Sequence, residues 1–249
     1  KKVFEKYRPQ KVVHLAAQAG VRYSLKNPET YIESNIMGFH NVLTLCCKFK
    51  IENLIYASSS SIYGNNQKQP FSTHDRTSSP ISIYAVSKKS NELMAYTYNH
   101  LYDLNTTGLR FFTVYGPWGR PDMAMNIFAR QLLSNKPITL YNHGYMERDF
   151  TYVSDIISGI RAAMRKSYNN EIFNLGNNKN IKILYILKQF EQELNKKAII
   201  KNVEIMPGDV KSSCADIKRS TKMLDYKPKV TIEKGIELFL DWFKNYYKL

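Results

Sequence analysis

Short apolar runs near residues 11–15, 53–57 and 106–111 are separated by two longer segments, 30–49 and 83–102, whose apolar residues recur at helical spacing. Unbroken apolar runs such as Leu54-Ile55-Tyr56-Ala57 predict strands buried on both faces, and strand–helix alternation predicts a parallel sheet with right-handed crossovers. The fold class is therefore α/β. Residues 1–15 read as a helix end, a break at Pro9 and a strand through Val12-Val13-His14-Leu15. After Gly116-Pro117-Trp118-Gly119 the rhythm changes. Short strands are expected near 139–141, 150–153, 172–175 and 198–205, mixed with helices near 125–135, 154–165, 181–194 and 231–247. The chain thus divides near residue 115 into residues 1–115 and a second region, 116–249, with the chain crossing between the two and the functional crevice where they meet.

Composition narrows this picture only in places. At 249 residues and 43% hydrophobic, the chain is long enough for a sizeable core, and it holds neither a run of 18 apolar residues nor a signal peptide. A cytoplasmic protein with no membrane attachment is expected. Cys46, Cys47 and Cys214 form no disulfide framework and no His/Cys spacing accompanies them, so reduced thiols and no metal are expected. The net charge of +15 raises the question of nucleic acid. The lysines are scattered through every segment, and no aromatic-basic module is present. A lysine-rich composition on a fold with anionic ligands accounts for the charge, and no nucleic-acid partner is expected.

The candidate chemistry lies in Ser82-Ile83-Tyr84-Ala85-Val86-Ser87-Lys88 and, upstream, in Ala57-Ser58-Ser59-Ser60-Ser61-Ile62-Tyr63-Gly64. On a helix over 83–102, Tyr84 and Lys88 lie one turn apart on the same face. A neighbouring ammonium favours phenolate, which would bring the tyrosine toward the range where a general base is useful. The serines follow a buried parallel strand, at the sheet edge where α/β folds bind ligands. Which serine enters the site is left open, because neighbours alternate faces along a strand.

A strand ending in serines, then a loop, then a Tyr/Lys helix resembles the Ser-Tyr-Lys arrangement of the extended short-chain dehydrogenase/reductases. Further segments sharpen the likeness: His14-Leu15-Ala16-Ala17-Gln18-Ala19-Gly20-Val21-Arg22, Ser34-Asn35-Ile36-Met37-Gly38, the run from Arg110 to Met123, and Arg148-Asp149-Phe150-Thr151-Tyr152. In that order they are similar to the UDP-glucuronate 4-epimerases over essentially the whole chain. The resemblance implies a Rossmann-like doubly wound sheet that binds NAD, a C-terminal region that binds a UDP-sugar, and a homodimer formed through the helices at 30–49 and 83–102. It also implies a gap. No G-x-x-G-x-x-G is present and the chain opens on Lys1-Lys2, so an N-terminal truncation of roughly 70 residues is expected, taking with it the Gly-rich turn. Weak NAD binding and little activity are expected of such a fragment.

For individual residues the resemblance implies the following. Tyr84 removes the proton from the sugar 4-hydroxyl while NAD takes the hydride, and the resulting 4-keto sugar turns over and takes it back on the other face. Lys88 bonds the nicotinamide ribose and depresses the tyrosine's ionisation, Ser59 bonds the sugar 4-oxygen, and Ser60 and Ser61 reach the same substrate. Ala16, Ala17, Asn35 and Phe111 join Tyr84 and Lys88 in meeting the cofactor. Thr113 and Arg120 hold the uronate carboxylate, for which a guanidinium is a planar bidentate partner. Arg148 and Asp209 meet the nucleotide, with Lys211 in place of an arginine that the segment Pro207-Gly208-Asp209-Val210-Lys211 lacks. A related dehydratase would need an acid pair where Ser60 and Ser61 stand. A decarboxylating relative and a non-catalytic UDP-sugar-binding fragment remain as alternatives.

Overall fold

The computed structural model describes residues 1–248. Along the chain, α1 (Lys2–Tyr7), β1 (Lys11–His14) and α2 (Val21–Lys26) precede a long helical stretch made of α3 (Pro28–Tyr31), a π turn (Ile32–Met37) and α4 (Gly38–Lys48). Then follow β2 (Asn53–Ser59), a 3₁₀ turn (Ser60–Tyr63), α5 (Ile83–Tyr102), β3 (Thr106–Phe111) and β4 (Thr113–Tyr115). The remainder comprises α6 (Ala124–Leu133), β5 (Ile138–Tyr141), a 3₁₀ turn (Asn142–Gly144), β6 (Glu147–Tyr152), α7 (Val153–Arg165), β7 (Asn170–Leu175), β8 (Asn180–Lys182), α8 (Ile183–Leu194), β9 (Ile200–Val203), α9 (Lys218–Leu224) and α10 (Ile232–Tyr247).

The main sheet has the order β1-β2-β3-β7, and every pairing in it is parallel. Side chains alternate across it. Leu54 and Tyr56 of β2 face one way and pack with Phe39, Leu43 and Cys46 of α4 and Ala95 of α5. Ile55 faces the other way, with Leu109 of β3 and Phe173 of β7, against Ile156, Ile160 and Ala163 of α7. Helices therefore cover both faces, which explains why these strands read as unbroken apolar runs. The chain returns to this sheet late: β7 lies beside β3 although it follows the whole β4–α7 stretch.

The second body joins a β4-β6-β8 sheet and a β5-β9 pair to α6, α8 and α10. Its core is aromatic, built on Phe128, Phe190, Phe239 and Phe243. The helix expected over 181–194 begins at Ile183, because Asn180–Lys182 pair antiparallel with Asp149–Glu147. The strand expected over 198–205 is confined to Ile200–Val203, and β4, β8, α2 and α9 are too short to show a period in the sequence. In the first body, the helix expected over 30–49 contains the π turn, whose extra residue rotates Asn35 to the inside, 1% exposed.

Candidate active site

The serine-rich end of β2 is fixed from beneath by a buried ionic network. Arg110 of β3 donates to Glu92 of α5 through Nε at 2.8 Å and Nη2 at 2.9 Å, and Ser58 donates to the same carboxylate at 2.6 Å. Arg110 Nη1 also donates to the Tyr63 hydroxyl, which donates in turn to Asn174 of β7 at 2.7 Å. Burial raises the Glu92 carboxyl, yet the hydrogen bonds and charge of Arg110 outweigh it and hold the group below the usual carboxylate range. A buried pair with both partners satisfied specifies position, and here the position is that of the strand end.

This network settles the alternation of the four serines. Ser58 faces the network and is spent on Glu92. Ser59 faces the opposite way, beside the Tyr84 phenol, and its Oγ also accepts from the Ser61 amide at 3.2 Å, which starts the 3₁₀ turn. Ser60 and Ser61 line a small cavity of about 150 Å³ together with Thr113, Arg148 and Asp209.

Tyr84 occupies the first turn of α5, which Ser82 caps by accepting the Ala85 amide at 3.1 Å. Lys88, one turn on and 3% exposed, donates to the Ala57 carbonyl at 2.9 Å. Its burial lowers the ammonium to about 8. The expected depression of Tyr84 by Lys88 is not what this arrangement produces. Burial raises the phenol above its ordinary value, and the two influences that pull it down are the Ser59 hydroxyl and the Arg120 charge. The reason is geometric: Lys88 turns back to the strand end, while Arg120 reaches in from the second body. Tyr31 packs edge-on against the Tyr84 ring at 6.1 Å.

On the sheet-edge side, Ala16 and Ala17 lie in the loop after β1, and two contacts hold that loop. The Tyr31 hydroxyl donates to the Gly20 carbonyl at 2.6 Å, and Asn35 clamps Gln18 through both backbone groups, at 2.8 and 3.0 Å. The second amide hydrogen of Asn35 goes to Ser87 Oγ at 2.9 Å. Both donors of the Asn35 amide are thus engaged within the protein, and the residue positions the loop that carries the alanines. Phe111 ends β3 in register with Ser59 and is half-buried against the core under α7.

A cleft of about 270 Å³ lies between the two bodies, with Thr113, Arg120, Arg148 and Asp209 on its walls. Its smaller neighbour shares Val21, Thr113, Arg148 and Asp209, so the two are continuous. Arg120 is not free. It forms a bidentate pair with Asp122, Nε to Oδ1 at 2.9 Å and Nη2 to Oδ2 at 2.6 Å. The guanidinium lies against Gly20, where a Cβ would stand 3.0 Å from Nη2. At φ +107°, Gly20 also has a backbone that side-chain-bearing residues rarely adopt. The loop that carries Arg120 is braced from outside by Trp118, which packs on Trp242 and Tyr246 of α10 at 5.6 and 4.9 Å.

Elsewhere on the cleft wall, Arg148 donates to the carbonyls of Glu147 and Lys211 and meets no carboxylate among the described residues. Asp209 instead accepts from Arg22 at 2.7 Å, and the Arg22 guanidinium lies over the Tyr141 ring at 3.7 Å. Lys211, expected to stand in for a missing arginine, is exposed and lines neither cavity. The second guanidinium beside Arg148 is therefore Arg22, supplied by the other body. Arg22 and Asp122 are the two charged residues of this site that sequence reasoning passed over. Both sit next to glycine- or proline-rich turns, the one signal that marks them as loop residues at a ligand-facing edge.

The three thiols lie apart from this chemistry. Cys46 and Cys214 are buried, and burial pushes them up to about 12 and about 11. No cluster of metal-ligating side chains occurs among the described residues, and no helix is long and apolar enough to cross a membrane.

Comparison with known proteins agrees with this geometry. Residues 1–176 match the family described as "NAD dependent epimerase/dehydratase family". An uncharacterized protein of Methanocaldococcus jannaschii is 55% identical over 93% of this chain and 71% of its own length. UDP-glucuronate 4-epimerase 4 of Arabidopsis thaliana is 45% identical over 95% of this chain and 58% of its own length. The crystal structure of UDP-glucuronic acid 4-epimerase from Bacillus cereus, in complex with UDP-glucuronic acid and NAD, superposes with a TM-score of 0.93 at 35% identity. It covers 99% of this chain and 78% of that one. With its parallel sheet, its serine strand end and its Tyr/Lys helix, this chain belongs to the NAD-dependent epimerase/dehydratase family.

Proposed function

We propose that the protein carrying these residues inverts C4 of UDP-glucuronate to give UDP-galacturonate. The observation that carries this reading is the position of Arg120. A guanidinium enters the cleft beside Thr113, close enough to the Ser59–Tyr84 pair for its charge to act on the phenol. A neutral hexose offers that group only uncharged hydroxyl acceptors, whereas a uronate carboxylate is a matched bidentate partner. The plant and Bacillus relatives support the same substrate. Where a dehydratase would need an acid pair, Ser60 and Ser61 line the cavity.

The residues suit NAD as the cofactor. Lys88 is a buried ammonium with a single hydrogen-bond acceptor, Ala57 O, so it keeps donors for ribose hydroxyls. Ala16 and Ala17 present little bulk on a clamped loop, and Phe111 offers a ring edge beside Ser59. Bound there, NAD would supply the reversible two-electron acceptor that no side chain provides. The chain's own residues move the proton and hold the sugar. Ser59 bonds the 4-oxygen, Tyr84 takes the hydroxyl proton and gives it back, and burial of the phenol makes its ionised form depend on nearby positive charge. A 4-keto uronate is a β-keto acid, so Arg120 and Thr113 also keep its carboxylate out of alignment with the ketone and prevent loss of carbon dioxide. Arg148, Arg22 and Asp209 take the nucleotide.

The Leu93 and Tyr96 side chains on α5, 57% and 60% exposed, fit a homodimer through that helix. The free thiols fit a reducing cytoplasm.

Chromatography of the products tests the reading. UDP-glucuronate and UDP-galacturonate should interconvert, and Arg120→Ala should weaken turnover of the acid by about 2–5 kcal/mol while sparing UDP-glucose binding. Faster interconversion of UDP-glucose and UDP-galactose would sink the substrate assignment.

A further inference from the structure

The pairing of Arg120 points beyond its role as a carboxylate grip. Its Nε–Nη2 edge is filled by Asp122 at 2.9 and 2.6 Å, and the Asp122 side chain is 65% exposed at the cleft wall. Each partner responds to the other. The hydrogen bonds to Asp122 hold the guanidinium above its ordinary range, and those to Arg120 hold the Asp122 carboxyl below its own. Across the cleft the same pattern repeats, with Asp209 on Arg22 at 2.7 Å. In both places a side-chain carboxylate already occupies a guanidinium that faces the cleft.

Resting on the UDP-uronate reading, we propose that Asp122 is a resident stand-in for the substrate carboxylate. It exchanges with that carboxylate on Arg120 and so sets how tightly the acid is held. Turnover creates the need. The acid must enter the cleft and leave it again, and a bidentate grip with nothing to take its place would leave the guanidinium unpaired at each release. A second carboxylate, already placed two residues along the same loop, takes up the guanidinium as the first one leaves. The charge on Arg120 is never stranded, and release of the substrate acid costs less. Gly20 leaves room for the guanidinium against the loop, since a Cβ there would stand 3.0 Å from Nη2. Asp122 is thus a specificity-determining residue through its effect on Arg120, not a group that touches the reacting carbon.

The test is Asp122→Asn in the NAD-loaded enzyme, which keeps the shape and removes the competing charge. UDP-glucuronate should bind roughly three- to tenfold more tightly by calorimetry, with KM and kcat both falling, while UDP-glucose binding stays unchanged. Asp122→Glu should restore the parent values. In an Arg120→Ala background, Asp122→Asn should have no further effect on the acid. Weaker binding of UDP-glucuronate by Asp122→Asn, or equal changes for acid and neutral sugar, would overturn the exchange role while leaving Arg120 as the carboxylate partner. If Arg120→Ala itself fails to separate the acid from the neutral sugar, the uronate reading falls first, and the exchange role with it.

Discussion

The two walls of the active-site cleft are built on opposite principles. On the sheet side, Ser59, Tyr84 and Lys88 stand on a strand end and a capped helix, and Ser59 and Lys88 are 7% and 3% exposed. The Arg110–Glu92 pair beneath them is nearly as buried. On the loop side, Arg120, Asp122 and Arg22 have side chains 41%, 65% and 42% exposed, with Arg120 paired to Asp122 within one loop and Arg22 to the distant Asp209. The sheet-side wall is buried and already assembled. The loop-side wall holds its charges in exposed pairs that an anionic ligand would have to break. In the proposed reaction, proton transfer falls to the first wall and choice of anion to the second.

The sharpest way to break that comparison is Tyr84→Phe, which removes the phenolic oxygen and keeps the ring against Tyr31. The expected loss is about 10²–10⁴ in kcat, with UDP-sugar binding little changed. Activity within a factor of a few of the parent would take proton transfer away from the sheet-side wall.

A somewhat smaller effect should come from Lys88, through pH. Burial lowers its ammonium from an ordinary 10.5 to about 8 in the folded chain. Between those values the unfolded chain binds more protons than the folded one, so this group makes stability rise with pH across that window, by up to about 3 kcal/mol. Below about 8 the parent bears the full cost of the buried cation. Lys88→Met, which carries no charge, should therefore be favoured over the parent most at neutral pH, and its relative advantage should shrink as pH climbs from about 8 to about 10. Denaturant unfolding of both proteins at several pH values measures the difference, and titrations common to both cancel. A pH-independent difference would mean that Lys88 is solvated and that this wall is less dry than its packing indicates.

The sheet-side wall was also the legible one. Residues 83–102 and 106–111 show their period and their apolar run openly, and α5 and β3 occupy those same spans. Tyr84 and Lys88 share a face by helical spacing alone, and the serines follow a strand that no other reading accommodates. The alternation of Ser58 and Ser59 was undecidable locally, because it depends on Glu92 and Arg110, which are far away in sequence. The loop-side wall was legible only through its resemblance to a family. Arg120–Asp122 is a loop pair with no period, and Arg22–Asp209 joins residues 187 positions apart. The π turn that directs Asn35 inward has no separate hydrophobic signature. Its effect, setting Asn35 as a clamp on Gln18, emerges only from packing.

The smallest predicted effect separates the assembly of the sheet-side wall from its chemistry. Ser82 accepts the Ala85 amide at 3.1 Å and closes the first turn of α5, two residues before Tyr84. Ser82→Ala removes the cap and should cost about 1 kcal/mol of stability. If the phenol is useful because the helix start holds it beside Ser59, fraying of that turn should lower kcat several-fold, with KM for the UDP-sugar nearly unchanged. Ser82→Thr, which can cap the same amide, should recover both properties. A stability loss without any loss of kcat would show that Tyr84 is held by its packing against Tyr31 and by Ser59, and that the cap serves the helix alone.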